Sequence, residues 1–159
     1  MGLGLPLCHD IMKAHGGALM VDSEPGRGCV FHISLPEAQA TVLIVDDQEA
    51  ARMEIVEQMQ DMAANIIEAA NGKEALDRLA EIVPHLVITD IAMPVMDGLE
   101  LLQFIRKNPA MESVPVVVMT SNAGVDTREE AFRLGASDFV TKPIVAAEFI
   151  PRVKRFVEG

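Results

Sequence analysis

From residue 41 to the end of the chain, short apolar runs alternate with segments of helical spacing, five times over. The apolar runs are residues 41–45, 65–69, 85–89, 114–120 and 138–141. The amphipathic segments between and after them are 48–60, 72–82, 98–107, 128–134 and 145–157. A strand followed by a helix, repeated in this way, builds a parallel sheet with helices on both faces. The runs 42–45 and 114–119 are continuously apolar, as strands covered on both sides require. Ligands of such open sheets sit beyond the carboxyl ends of the strands, beside the point where the strand order reverses. The chemistry is therefore expected just after each run.

Polar and charged residues stand at those ends. The first run terminates in Asp46-Asp47, the third in Asp90 and the fourth in Thr120-Ser121, and the fifth is followed by Lys142-Pro143. Singly, each has an ordinary explanation: a carboxylate caps a helix, a threonine closes a strand, a lysine is solvated. Together, three carboxylates on one rim repel one another unless a cation neutralises them. Carboxylate and carbonyl oxygens with retained waters suit Mg²⁺. Lys142 adds a point charge, and Thr120 a hydroxyl, for an incoming anionic group. The constellation predicts phosphoryl chemistry.

Composition narrows the field of partners. The 159 residues carry 13 Lys and Arg against 24 Asp and Glu, a net charge of -11, which disfavours a binder of phosphate backbones. No direct nucleic-acid partner is expected. Hydrophobic residues make up 50% of the chain but aromatics only 4%, so the core is expected to be aliphatic. Cys8 and Cys29 form no paired motif, and no apolar run approaches the ~20 residues that span a bilayer. The expectation is a cytoplasmic chain with reduced thiols and no membrane partner.

Four segments carry a resemblance to a known family: VLIVDD (42–47), ITDIAMPVMDG (88–98), VVVMTSNA (116–123) and LGASDFVTKP (134–143). They resemble the receiver domain of bacterial two-component response regulators, and the spacing from Asp90 to Thr120 and on to Lys142 matches as well. The resemblance implies a flavodoxin-like (βα)5 three-layer sandwich with strand order 2-1-3-4-5. It implies Asp90 as the phosphoacceptor, taking phosphate from a phosphohistidine on a histidine kinase or histidine phosphotransfer protein. Asp47, Asp90 and the Ala92 carbonyl would ligate Mg²⁺ directly, and Asp46 would act largely through coordinated water. Lys142 would contact the phosphoryl group, with the Lys142-Pro143 peptide cis, and Thr120 would move toward the phosphoryl oxygen. Phe139 matches the switch aromatic and would turn inward as Thr120 moves. For Asp97-Gly98 a helix cap and turn is the better reading. The sequence departs from many family members in having apolar Ala92 two residues after the acceptor and Asn122 two after Thr120. Ala92 cannot hydrogen-bond an attacking water, so slow decay of the acyl phosphate is expected.

Residues 1–40 read differently, as a helix over 5–15, a strand over 18–23, a turn at 25–28 and a strand over 29–35. Gly2-Leu3-Gly4-Leu5, His15-Gly16-Gly17 and the turn Glu24 to Gly28 resemble the end of the ATP-binding domain of sensor histidine kinases. That resemblance implies a truncated remnant over 1–37, a linker over 38–40 and a receiver over 41–159. An apolar face with Leu19, Val21, Val30, Phe31 and Ile33 is expected either to pack on the receiver or to make a homodimer. The remaining parts of a kinase, including its Mg-ATP asparagine and its histidine-bearing helices, are not matched, so autonomous kinase activity is not expected. His9, His15, His32 and His85 have no ligand spacing and read as structural or solvated.

The leading functional class is thus a phosphoaccepting signalling module. Three fates of the signal follow: relay to a histidine phosphotransfer protein, autoregulation of a parent kinase, or docking of a single-domain regulator through residues 128–134, Phe139 and the last helix. The chain is expected to be either the C-terminal piece of a hybrid sensor kinase or a short gene product retaining a kinase remnant. A Mg²⁺-dependent phosphatase forming an aspartyl phosphate would carry a second acid two residues after the acceptor, where this chain has Ala92. A pure binding module would lack Asp90 or Lys142, and both are present.

Overall fold

The structure, a computed structural model, describes residues 4–14, 17–34, 39–122 and 124–158. Gly2, Leu3, His15, Gly16, the start of the expected linker and Ala123 lie outside the described residues. The chain divides into two compact units, residues 1–38 and 39–159.

In the first unit, helix α1 (Gly4–Ala14) precedes an antiparallel hairpin of β1 (Ala18–Glu24) and β2 (Gly28–Ser34). The turn depends on glycine: Gly26 and Gly28 have φ of +83° and +92°, the left-handed region that side chains resist. The register pairs Leu19 with Ile33 and Val21 with Phe31, but Val30 with Asp22. Because strand residues alternate between faces, Val30 leaves the expected apolar face and joins Met20 and His32 on the other. Cys8, Ile11 and Met12 of α1 line an apolar groove with Leu19, Phe31 and Ile33.

The second unit is a parallel sheet of β3 (Ala40–Val45), β4 (Ala64–Ala69), β5 (Leu86–Asp90), β6 (Val116–Thr120) and β7 (Asp138–Thr141). Their order is β4-β3-β5-β6-β7, the expected 2-1-3-4-5 arrangement. Helices α2 (Glu49–Gln58), α3 (Gly72–Glu81), α4 (Gly98–Lys107), α5 (Val125–Arg133) and α6 (Ala146–Val157) connect and close it. The period-two alternation of strand side chains splits the core in two. Leu43, Val45, Val87 and Val118 meet α3, α4 and α5 through Leu79, Leu101, Ile105 and Ala131. Val42, Ile44, Ile88 and Met119 meet α2 and α6 through Ile55, Met59, Phe149 and Val153. The core is aliphatic apart from Phe139 and Phe149, and it forms a three-layer sandwich of the flavodoxin-like type.

Two element starts differ from the sequence expectation by more than one residue. Strand β6 begins at Val116 rather than 114, because Pro115 lacks an N–H and enters the ladder only as an acceptor, through its carbonyl to the Val87 N–H at 3.0 Å. Helix α5 begins at Val125, three residues early. Its first turn is exposed and carries no apolar stripe to announce it, while Asp126 suits the positive end of the helix dipole.

Candidate functional site

Parallel strands bring their carboxyl ends to one rim, and the order reversal lies between β3 and β5. Asp46 and Asp47 follow β3, Asp90 ends β5, Thr120 ends β6 and Lys142 follows β7. Carboxylate oxygens of Asp46, Asp47 and Asp90 lie within 4.8 Å of one another. The five expected side chains thus share the edge where the strand order turns.

Asp46 is fully buried and every one of its polar atoms is engaged. Its N–H donates to the Ala69 carbonyl at 3.1 Å. Its Oδ1 accepts from the Gln48 N–H at 2.9 Å, its Oδ2 from Lys142 Nζ at 2.6 Å, and its carbonyl from Arg52 Nη1 at 2.6 Å. Asp47 is exposed on the rim. Asp90 is 7% exposed; its Oδ1 accepts from the Ile91 N–H at 3.0 Å and its Oδ2 lies 3.5 Å from Lys142 Nζ. Burial pushes the Asp90 carboxyl above its ordinary range; Lys142 pulls it down, Asp46 pushes it further up, and the net direction is upward. Burial alone would lower the Lys142 ammonium, but its bond to Asp46 and the nearby Asp90 charge outweigh that and raise it. The lysine therefore stays charged.

The loop after Asp90 is held from both sides. Thr89 Oγ1 donates to the Asp90 carbonyl at 3.0 Å, and the Gly98 N–H donates to the Ile91 carbonyl at 2.9 Å. Gly98 sits so close beneath Asp90 that a Cβ there would overlap the Asp90 carbonyl. Asp97 caps α4 in a reciprocal box with Glu100, as the sequence suggested; the close approach of Gly98 went unread, although the Asp-Gly pair marked the place. Between them Val95 holds φ of +71° while 79% exposed. Ala92 is exposed two residues past Asp90.

On the far side of the rim, the Lys142 N–H donates to the Thr120 carbonyl at 2.9 Å, and the Lys142-Pro143 peptide is cis. The buried Thr120 Oγ1 accepts from the Asn122 N–H at 3.1 Å. Phe139 is 5% exposed and packed in the core, so the structure holds this side chain already inward. Asp138, buried beside it, pairs with Arg152 at 2.8 Å and Arg155 at 3.3 Å, tying β7 to α6. Sequence reasoning missed these two arginines, Arg52 and Gln48. Their signal was weak, since a lone basic residue on a helix is usually solvated. His85 is structural: its Nδ1 accepts from the Thr41 N–H at 2.9 Å.

An all-oxygen donor set of three carboxylates on an accessible rim fits a hard divalent cation. Beside it stand a charged lysine and a threonine hydroxyl. Among the described residues no helix is long and apolar enough to cross a membrane.

Comparison with known proteins agrees with this geometry. A family model described as response regulator receiver domain matches residues 42–154. An uncharacterized 14.6 kDa protein of Leptolyngbya boryana is 37% identical over 119 residues, covering 75% of this chain and 91% of that protein. The sensor kinase CckA of Brucella abortus is 31% identical over 186 residues, covering 99% of this chain but only 19% of the kinase. The chemotaxis protein CheY4 of Vibrio cholerae superposes with a TM-score of 0.70 at 28% identity, over 76% of this chain and all of that one. The match spans the strands whose ends carry the acid pair, the third acid and the lysine, and the chain belongs to the response regulator receiver domain family.

Proposed function

We propose that the second unit accepts a phosphoryl group on Asp90 from a phosphohistidine of a histidine kinase or histidine phosphotransfer protein. The observation that carries this reading is the placement of Asp90 within reach of both the acid pair and Lys142 on one rim. An Asp90 carboxylate oxygen attacks phosphorus, the phosphorus–nitrogen bond of the donor breaks, and its electron pair stays on the imidazole. Asp47, Asp90 and the Ala92 carbonyl would hold Mg²⁺, with Asp46 acting through water. When bound, the ion offsets the negative charge of the carboxylates and of the entering phosphoryl oxygens. Lys142 turns its ammonium to the phosphoryl group and Thr120 exchanges its bond to Asn122 for one to a phosphoryl oxygen. With Phe139 inward, that exchange favours the signalling arrangement of the face formed by α5, β7 and α6.

Self-catalysed phosphorylation and hydrolysis at Asp90 are the covalent steps this reading requires; ATP-dependent kinase activity is not among them. We further read residues 1–37 as the closing part of a kinase ATP-binding domain, joined through residues 38–40 to the receiver over 41–159. The alignment with a sensor kinase over 99% of this chain supports that reading, and with it a hybrid kinase in which the receiver relays phosphate or regulates its parent. A cytoplasmic location fits both.

Transfer from a radiolabelled phosphohistidine donor protein tests the proposal. Label is expected to move to the wild-type chain in Mg²⁺ and to stay on the donor with Asp90→Asn; equal labelling of both chains would refute the assignment.

A further inference from the structure

A residue outside the rim grips the backbone of the acid pair. Arg52, on the first turns of α2 and mostly buried, donates through Nη1 to the Asp46 carbonyl at 2.6 Å and through Nε to Glu68 on β4 at 3.1 Å. Its side chain is 15% exposed against 47% for Glu68. The Asp46 carbonyl belongs to the peptide plane that joins Asp46 to Asp47, so fixing that oxygen fixes the direction in which Asp47 leaves the backbone. Other bonds hold the rest of Asp46: its N–H donates to the Ala69 carbonyl, and its carboxylate accepts from Lys142 Nζ and from the Gln48 N–H, the latter closing a turn across Asp47. Asp47 is exposed, and Arg52 is the side chain that grips the oxygen of the peptide plane from which Asp47 leaves.

We propose that Arg52 is a positioning residue that sets the Asp46–Asp47 peptide for cation binding, with Glu68 aiming its guanidinium; the inference rests on the Mg²⁺ reading above. The planar fork suits this task because two donors on one rigid group serve two acceptors at once, which a lysine ammonium on a flexible stem does not reproduce. Simple electrostatics gives the opposite expectation. Arg52 is a cation near a dication site, so its removal should tighten Mg²⁺ binding if charge were all that mattered.

Titration of the full chain with Mg²⁺ alone, by calorimetry, separates the two. Arg52→Met is expected to bind about tenfold more weakly, the loss seen when groups orienting metal ligands are removed, while still unfolding cooperatively in chelator. Binding equal to or tighter than that of the wild type would overturn the positioning role. Should Arg52→Met fail to fold, Arg52→Lys carries the test: weakened binding supports the role and wild-type affinity overturns it. Absence of Mg²⁺ binding by the wild type would overturn the metal reading and this inference together, whereas an unaffected variant overturns this inference alone.

Discussion

Lys142 Nζ lies 2.6 Å from Asp46 Oδ2 but 3.5 Å from Asp90 Oδ2: the lysine rests on the buried acid that is not the proposed acceptor. Asp90 is thereby left only partly compensated, and burial dominates its protonation. In the proposed reaction, neutralising Asp46 with the lysine, rather than Asp90, keeps an Asp90 oxygen open to an incoming phosphorus.

That relationship fixes a pH dependence. A carboxyl whose folded pKa is raised binds more protons in the native than in the unfolded state, so its ionisation costs stability as pH rises through the folded pKa. In chelator at neutral pH, Asp90→Asn is expected to melt higher than the wild type. The gap should close as pH falls through the raised Asp90 pKa, where the wild-type carboxyl becomes neutral too. Thermal scans in a pH series check this; a gap that widens on acidification contradicts it.

Gly98 has no room for a side chain beneath the Asp90 carbonyl. Gly98→Ala is expected to destabilise the receiver by roughly 3 kcal/mol, the upper part of the usual cost of overpacking, and to slow the proposed phosphorylation because the Asp90 backbone moves. Urea unfolding midpoints and phosphorylation rates provide the two readouts, and an unchanged midpoint would show that the loop relaxes freely.

Val95 is a β-branched residue in the left-handed region, exposed and therefore without packing to offset the strain. Replacing it by asparagine, which tolerates that region, is expected to stabilise the fold by about 1 kcal/mol. A chemical denaturation curve shifted to higher urea at constant slope is the expected result.

Ala92 is exposed beside the proposed acceptor, and its side chain offers no polar atom to a water attacking an acyl phosphate there. Ala92→Asn is expected to shorten the lifetime of phosphorylated Asp90, followed by intact mass after removal of donor. A lifetime as long as that of the wild type would assign control of decay elsewhere.

The sheet and its rim were legible because four of the five strands end in polar or charged residues: Asp46-Asp47, Asp90, Thr120 and Lys142 are together explained by convergence on one edge. Element positions followed from apolar periodicity, and failed where periodicity was silent, at the exposed first turn of α5, or where Pro115 interrupts an apolar run without a ladder donor. Val30 was misplaced because composition marks it as apolar while only the register, which pairs it with Asp22, says which face it takes. Arg52, Arg152 and Arg155 escaped notice for a related reason. Their partners, the Asp46 carbonyl, Glu68 and Asp138, are distant in sequence or belong to the backbone, and no local spacing announces such a bond.

The most direct test of the account is the intact mass of the chain after incubation with a small-molecule phosphodonor, with and without Mg²⁺, for the wild type and Asp90→Asn. The account predicts one phosphoryl adduct, formed only in Mg²⁺ and only by the wild type. An adduct that survives loss of Asp90, or none at all in Mg²⁺, would contradict it.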